Sequence, residues 1–176
     1  MLHERAAAAA VLASGADVRP ALAEFVPAPH CRYAVECRAP DGSLKWREEF
    51  DNLVTTGGAD DLLDKYFGAV VSVGWYMGLL DGTPAATDTL ASHTGWTEQT
   101  PYTGNRPAIT WSSASGGSKA GSAVSYSITA SATVSGAFLA SVNTGTAGIL
   151  YSAGNFSSSR TVASGDTLNV TPTMSV

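Results

Sequence analysis

The residues of this chain best able to do chemistry are its three histidines, its two cysteines and a few clustered acids. A nucleophilic hydrolase needs a Ser or Cys within hydrogen-bond reach of a His that a third group holds in place. His3 precedes an alanine run, and His30 stands between Pro29 and Cys31. His93 lies in a long polar stretch with Asp88 and Glu98 nearby in sequence, and those two acids are also the candidates for the paired carboxylates of glycoside cleavage. A histidine in such a loop is ordinarily solvated, so no catalytic residue is expected and the chain does not read as an enzyme. Gly116-Gly117-Ser118-Lys119-Ala120 has the outline of a nucleophile elbow. That motif works on a strained strand-to-helix turn. No helical pattern follows Ala120, so the segment reads as a linker.

Metal and phosphate chemistry find no better footing. Cys31 and Cys37 lack the close spacing of structural zinc ligands. Asp60, Asp61 and Asp64 fall in a predicted helix start, where carboxylates complement the positive end of the dipole. Asp81-Gly82 and Asp88 are too sparse for an EF-hand loop. Thr56-Gly57-Gly58-Ala59 has neither the spacing nor the lysine of a phosphate cradle. No metal and no cofactor are expected. Asn155-Phe156-Ser157 and Asn169-Val170-Thr171 match the glycosylation pattern, but Ser/Thr-rich sequence produces such matches freely and Pro172 follows the second. Neither reads as functional.

Placed on one strand, Cys31 and Cys37 are about 20 Å apart, far beyond the roughly 7 Å that a disulfide spans between Cα atoms. Two free, buried thiols in a reducing compartment are expected. The charged fraction is 14%, against about 25% in an ordinary soluble domain, and polarity rests instead on Ser, Thr, Gly and Asn. Such a surface can lie against a neighbour at little desolvation cost. With a net charge of −5 and no basic stripe to displace counterions from phosphates, nucleic acid is not an expected partner. All fifteen acids except Asp166 precede residue 101, and residues 101–176 carry just Arg106, Lys119 and Arg160 as cations. No apolar run approaches the roughly 18 residues of a membrane span. Ala6 to Ala13, flanked by Glu4 and Arg5, makes a poor signal peptide because its apolar part is nearly all alanine.

The elements that would position these residues are mostly strands. Leu2 to Leu12 is a plausible short helix ended by Gly15, and Pro20 to Pro29 should be extended. Residues 1–29 therefore read as an N-terminal arm, and residues 30–176 as a β-sandwich domain. Arg32 to Arg38 and Ser43 to Arg47 alternate around Asp41-Gly42, which predicts a hairpin with a type I′ turn. The one convincing helix runs from Ala59 to Phe67, capped by a Thr or Gly, with Leu62, Leu63, Tyr66 and Phe67 as its apolar stripe and an Asp61–Lys65 pair. Gly68 stops it.

Val70 to Leu80 is an apolar strand; Thr83 to about Gly104 is a long loop; Arg106 to Ser112 is a short strand. Val124 to Ser131, Val134 to Val142, Gly148 to Tyr151, Arg160 to Val162 and Leu168 to Val176 follow as further strands, the last placed at an edge or bulged because Pro172 cannot donate to a ladder. Eight or nine short strands with one helix point to a mostly-β protein, an antiparallel β-sandwich or jelly roll. Trp46 and Trp75 belong to its core. Trp96 and Tyr102 have two readings, an exposed aromatic pair that grips a partner or a sugar, or a plug folded into one end of the sandwich.

Asn52-Leu53-Val54-Thr55-Thr56-Gly57-Gly58-Ala59-Asp60-Asp61-Leu62-Leu63-Asp64-Lys65-Tyr66-Phe67 and Trp75-Tyr76-Met77-Gly78-Leu79-Leu80 resemble segments of small virion proteins from tailed bacteriophages. The likeness continues in Tyr151-Ser152-Ala153-Gly154-Asn155-Phe156 and Gly165-Asp166-Thr167-Leu168, and covers roughly residues 50–176. Within that group the chain is most similar to jelly-roll capsid decoration (cement) proteins. The resemblance implies a structural protein of the virion, made in the host cytoplasm, whose partners are the major capsid protein and copies of itself. Its main rival is a tail-fibre or baseplate module with a receptor- or sugar-binding surface, and a carbohydrate-active enzyme stands third.

Overall fold

A computed structural model describes residues 29–66 and 74–175. The chain is mostly β, as expected: β1 (His30–Arg38), β2 (Leu44–Val54), β3 (Tyr76–Gly82), β4 (Trp96–Gln99), β5 (Ser118–Ala120), β6 (Val124–Ser127), β7 (Ala132–Ala140), β8 (Leu150–Val162) and β9 (Thr167–Ser175), with α1 (Thr56–Tyr66) after β2. The expected arm, residues 1–28 of it, lies outside the described residues, as do Phe67, Gly68 and Val70 to Val73.

All nine strands pair antiparallel in the order β4-β3-β7-β8-β2-β1-β9-β5, with β6 beside β5 on β9. They form two layers. β2 belongs to both: most of its length pairs with β1, while Leu53 and Val54 at its end pair with Ala153 and Ser152 of β8. The layers also meet on the other side. Ile109 N–H donates to Trp75 O (2.9 Å), Ser122 N–H to Thr110 O (2.7 Å) and Gly121 N–H to Pro172 O (2.8 Å), so residues 107–122 carry backbone pairing from β3 round to β9. The main core between the layers holds Tyr33, Val35, Met77, Leu79, Tyr126, Leu139, Leu168 and Val170, every one nearly inaccessible. Trp46 and Trp75 pack against it while staying partly exposed. Cys31 and Cys37 are free and buried.

The expected first hairpin is present with a different turn. Ala39 N–H donates to Ser43 O and Gly42 N–H to Ala39 O, both at 2.9 Å, and Gly42 has φ +84°. This is a three-residue loop, Pro40-Asp41-Gly42, ending in a glycine of positive φ. Pro40 explains it: its fixed φ suits the first corner of a type I turn. The mirror-image turn sits instead at Gly116-Gly117, expected to be a linker. Ser115 and Ser118 exchange backbone hydrogen bonds of 2.9 and 3.0 Å, and the glycines have φ +58° and +75°, the requirement of a type I′ turn.

Three further expectations change. Gly148–Tyr151 and Arg160–Val162 are the two ends of a single strand, β8. Residues 106–112 form isolated bridges at Ala108 and Trp111 and no regular strand. β9 is internal, not an edge: β1 flanks it along its whole length and β6 and β5 share its other side. Pro172 is tolerated because β6 reaches only to Val170 and β5 begins opposite Thr173, so the missing donor falls where the neighbour changes.

Candidate functional site

α1 is placed by its start. Thr55 caps it by accepting the Gly58 N–H on Oγ1 (3.1 Å), while Thr55 N–H donates to Tyr151 O (3.0 Å). Gly58 must be glycine here, because a Cβ would lie 2.2 Å from Tyr151 O. The helix thereby lies over β8, near one end of the sandwich. Asp61 and Lys65 form the expected pair (2.7 Å). Leu62 packs on the core, but Leu63, expected in the same stripe, is 56% exposed.

Beneath the helix a hollow of about 300 Å³ opens between the layers. Its apolar walls are Leu62 of α1, Trp75, Trp111, Leu139, Tyr151 and Met174, with Asp61, Lys65 and Lys119 as its charged groups. Lys65 Nζ stands 4.5 Å from the Trp75 ring centre, and Trp75 meets Tyr151 edge to face at 5.2 Å. Burial, aided by the neighbouring Cys31 and Asp61, pushes the Tyr151 phenol up to about 12, so it stays neutral at physiological pH. Asp61 is committed to Lys65. The Trp111 indole N–H is buried without a hydrogen-bond partner. An aromatic hollow whose acid is already paired suits the seating of an apolar group better than acid–base chemistry. Sequence reading placed Trp111 on a short strand and Lys119 in a linker, and so did not bring them to one site. The signal was the Gly116-Gly117 pair, which folds β5 back along residues 110–112.

The residues that chemistry nominated are used elsewhere, as fittings of the segment between β3 and residue 106. His93 stacks on Trp96 with ring centres 3.9 Å apart, and its Nδ1 lies 3.1 Å from Trp96 O. Asp88 accepts the Trp96 indole N–H (3.0 Å) and the Ala85 N–H (2.8 Å). Glu98 binds the Arg106 guanidinium through both oxygens, at 2.7 and 2.6 Å, and Arg106 also donates to Val142 O (3.1 Å). Trp96 is buried on β4 against Phe138, within a second core that includes Leu80, Leu90 and Ala153 and covers the outer face of β3, β7 and β8. Tyr102 is buried in the main core, 4.7 Å from Tyr126. The exposed aromatic pair is not what the structure has: Tyr102 is folded into the main core, and Trp96 packs on the outer face of β3, β7 and β8 and does not plug an end of the sandwich.

The cysteines are poor nucleophiles at neutral pH. Burial raises the Cys31 thiol to about 11, and burial followed by the Asp166 carboxylate raises Cys37 to about 11. Ser118 lies on β5 with its hydroxyl donating to Met174 O (3.2 Å), not on an elbow. Asn155 is held inward, its amide donating to Gly82 O and Ser135. Among the described residues no cluster of three His, Cys, Asp or Glu is arranged to hold a metal ion, and no described helix is long and apolar enough to cross a membrane.

The other candidate surface is the outer face of β1, β2 and β9. Arg32–Asp51 and Arg47–Glu49 are exposed ion pairs on its β1–β2 side. β9 presents Thr167, Asn169, Thr171, Thr173 and Ser175, all half-buried, and β6 adds exposed Ser125 and Ser127. Cross-strand pairing sets Asn169 beside Ser125 and Thr167 beside Ser127. The result is a pleated strip of hydroxyls and amides, bordered on β1 by Arg32, Glu36 and Arg38, which pair with Thr173, Asn169 and Thr167. Comparison with known proteins finds no family model that matches the chain and no matching curated protein.

Proposed function

We propose that this chain is a structural protein of a bacteriophage particle, a capsid decoration (cement) protein that binds the assembled shell and steadies it. The observation that carries the reading is the uncharged Thr/Asn/Ser strip of β9 and β6. It supports a narrow, low-charge contact strip with protein neighbours, because hydroxyls and amides exchange water for partner groups without the desolvation cost of ions. The resemblance of residues 50–176 to phage virion proteins points the same way. So does the commitment of His93, Asp88 and Glu98 to neighbours inside the fold. The partners in this reading are the major capsid protein and further copies of the chain. A fibre or baseplate role would need a gripping surface other than Trp96 and Tyr102, since both are buried. The deciding experiment is a reconstruction of the intact particle. Density for this sandwich on the shell lattice, with the β9–β6 face against a neighbour, is the expected result. Density at the tail or baseplate overturns it.

A further inference from the structure

β8 carries a bulge that builds a basin beside the end of β3. Val134 of β7 stands opposite Arg160, and Gly136 stands opposite Asn155. Between those pairs β7 has one residue, Ser135, and β8 has four, Phe156 to Ser159. A strand with surplus residues bends and re-aims its side chains. Phe156 turns into the main core, 5.2 Å from Phe50, while Ser157, Ser158 and Ser159 are exposed. Glu48 of β2 fixes the bulge by accepting the Ser157 N–H and the Arg160 guanidinium (3.1 Å). The basin holds about 360 Å³, and its polar walls are Asp81, Thr83, Ser135, Asn155, Ser158 and Ser159. These walls are tied together. Ser135 Oγ accepts the Gly82 N–H (2.8 Å) and donates to Gly82 O (3.0 Å), and the Asn155 amide donates to Gly82 O and to Ser135 O (3.3 Å). Gly82 closes β3, six residues or about 20 Å along the strand from Tyr76.

Asp81 stands apart from the other acids that the fold shelters. Among the described residues, Glu36, Glu48, Asp61, Glu98 and Asp166 each meet a cation, and Asp88 accepts two N–H groups. Asp81 is half-buried and meets neither. Thr83, Ser158 and Ser159 add three hydroxyls without partners among the described residues, and no cation lines the basin. An acceptor-rich cavity with one negative charge complements a group that has a positive charge and several N–H donors. A single carboxylate suits calcium poorly, because that ion takes about six to eight oxygens and its affinity rises with their charge.

We propose that this basin binds an ammonium or guanidinium group, carried by a free amine or by a lysine or arginine side chain of a partner. Asp81 is its counter-ion, and the hydroxyls of Thr83, Ser158 and Ser159 are further acceptors. The basin has no wall on β9 or β6, so the proposal does not depend on the shell-binding reading.

The test is a titration of the full-length chain, followed by nuclear magnetic resonance at constant ionic strength. n-Butylammonium and n-propylguanidinium should shift the backbone amide signals of Thr83, Ser135, Ser158 and Ser159 and saturate near a dissociation constant of about 1 mM. Tetramethylammonium, which has the charge and no N–H, should bind about tenfold more weakly or worse. Asp81→Asn should weaken n-butylammonium by about tenfold or more and still melt like the wild type, because Asp81 holds no other element in place. Ser158→Ala combined with Ser159→Ala should weaken it by a smaller factor. N-acetyl-lysine methylamide bound as tightly as n-butylammonium supports a basic side chain as the source, and binding of the free amine alone supports a small molecule. The proposal is overturned if neither cation moves these signals, or if Asp81→Asn binds as the wild type does. It is equally overturned if calcium chloride or glucose moves the same signals at lower concentration than the amines.

Discussion

The Asp166 carboxylate, at the turn into β9, is held at 2.5 Å by the Lys45 ammonium from β2. It also accepts the Ala163 N–H (2.8 Å) and faces the Cys37 thiol at 3.8 Å. One nearly inaccessible acid thus ties the β1–β2 hairpin to the β8–β9 turn. Burial alone would raise its pKa, but the bonds from Lys45 and Ala163 outweigh that and hold it below the ordinary aspartate value.

This pair makes stability sensitive to acid with a defined sign. The folded-state pKa of Asp166 lies below that of the unfolded chain, about 3.9. Its contribution is therefore complete above that pH and is lost as the pH falls through the folded value. Asp166→Asn should cost about 1–3 kcal/mol at pH 7. Urea melts of both proteins should show the gap narrowing below about pH 4, and a gap of constant size would remove the ion pair from the account. Glu48, held by Ser157 and Arg160, is shifted in the same direction, so the wild type itself should lose stability steeply there.

Close backbone approach makes a second expectation. A Cβ on Gly136 would lie 2.0 Å from Gly154 O, where β7 and β8 meet, and no side-chain movement can relieve a clash with backbone. Gly136→Ala should cost about 3 kcal/mol or more. A Cβ on Gly57 meets nothing within 4 Å, and alanine there should gain up to about 1 kcal/mol in helix propensity. Thermal melts of the two variants should move in opposite directions; a neutral Gly136→Ala would mean that the β7–β8 contact is looser than the structure has it.

Much of this was legible in the sequence and some was not, for identifiable reasons. Strict alternation marked β1, β6 and β9 because each has one buried and one wetter face. β8 was split because Ser152 to Ser159 alternates no large apolar residues: Ser152 is buried with its hydroxyl bonded to Tyr33 (2.8 Å), and Gly154 is needed where Asn52 comes close. Polar composition hid β4 in the same way, since Trp96 brings its own partner, Asp88, from eight residues earlier. The hollow was illegible because its walls come from α1, β5, β7, β8 and β9, and pairing between distant strands is a property of topology, not of local pattern.

A third expectation separates structure from catalysis among the acids and histidine once nominated. Glu98→Ala leaves Arg106, 6% exposed, without its carboxylate, and should cost about 3 kcal/mol. His93→Ala removes one aromatic stack, worth about 1 kcal/mol. Asp88→Asn keeps an acceptor for Trp96 and should be milder than Asp88→Ala. If the chain is the particle component proposed, variants that still fold should assemble into infectious particles at the wild-type level. Loss of function in folded, assembled His93→Ala or Asp88→Asn would restore an enzymatic reading.

The last expectation bears on the proposed attachment to a shell. Residues 1–24 combine an alanine-rich run with few large apolar side chains and the start of a proline-punctuated stretch. A helix of about a dozen residues is marginal in water even with good propensity, so a segment of this composition gains most from an outside surface. Deleting residues 1–24 leaves every described strand of the sandwich in place, so the isolated protein should keep its melting temperature. The same deletion should markedly lower occupancy on purified particles, because the contacts it removes would form only on the shell. Melting curves and occupancy measured on the same two proteins distinguish the cases. Equal occupancy would take residues 1–24 out of the attachment mechanism and leave it to the β9–β6 face. A collapsed melting temperature would show that these residues belong to the protein's own core.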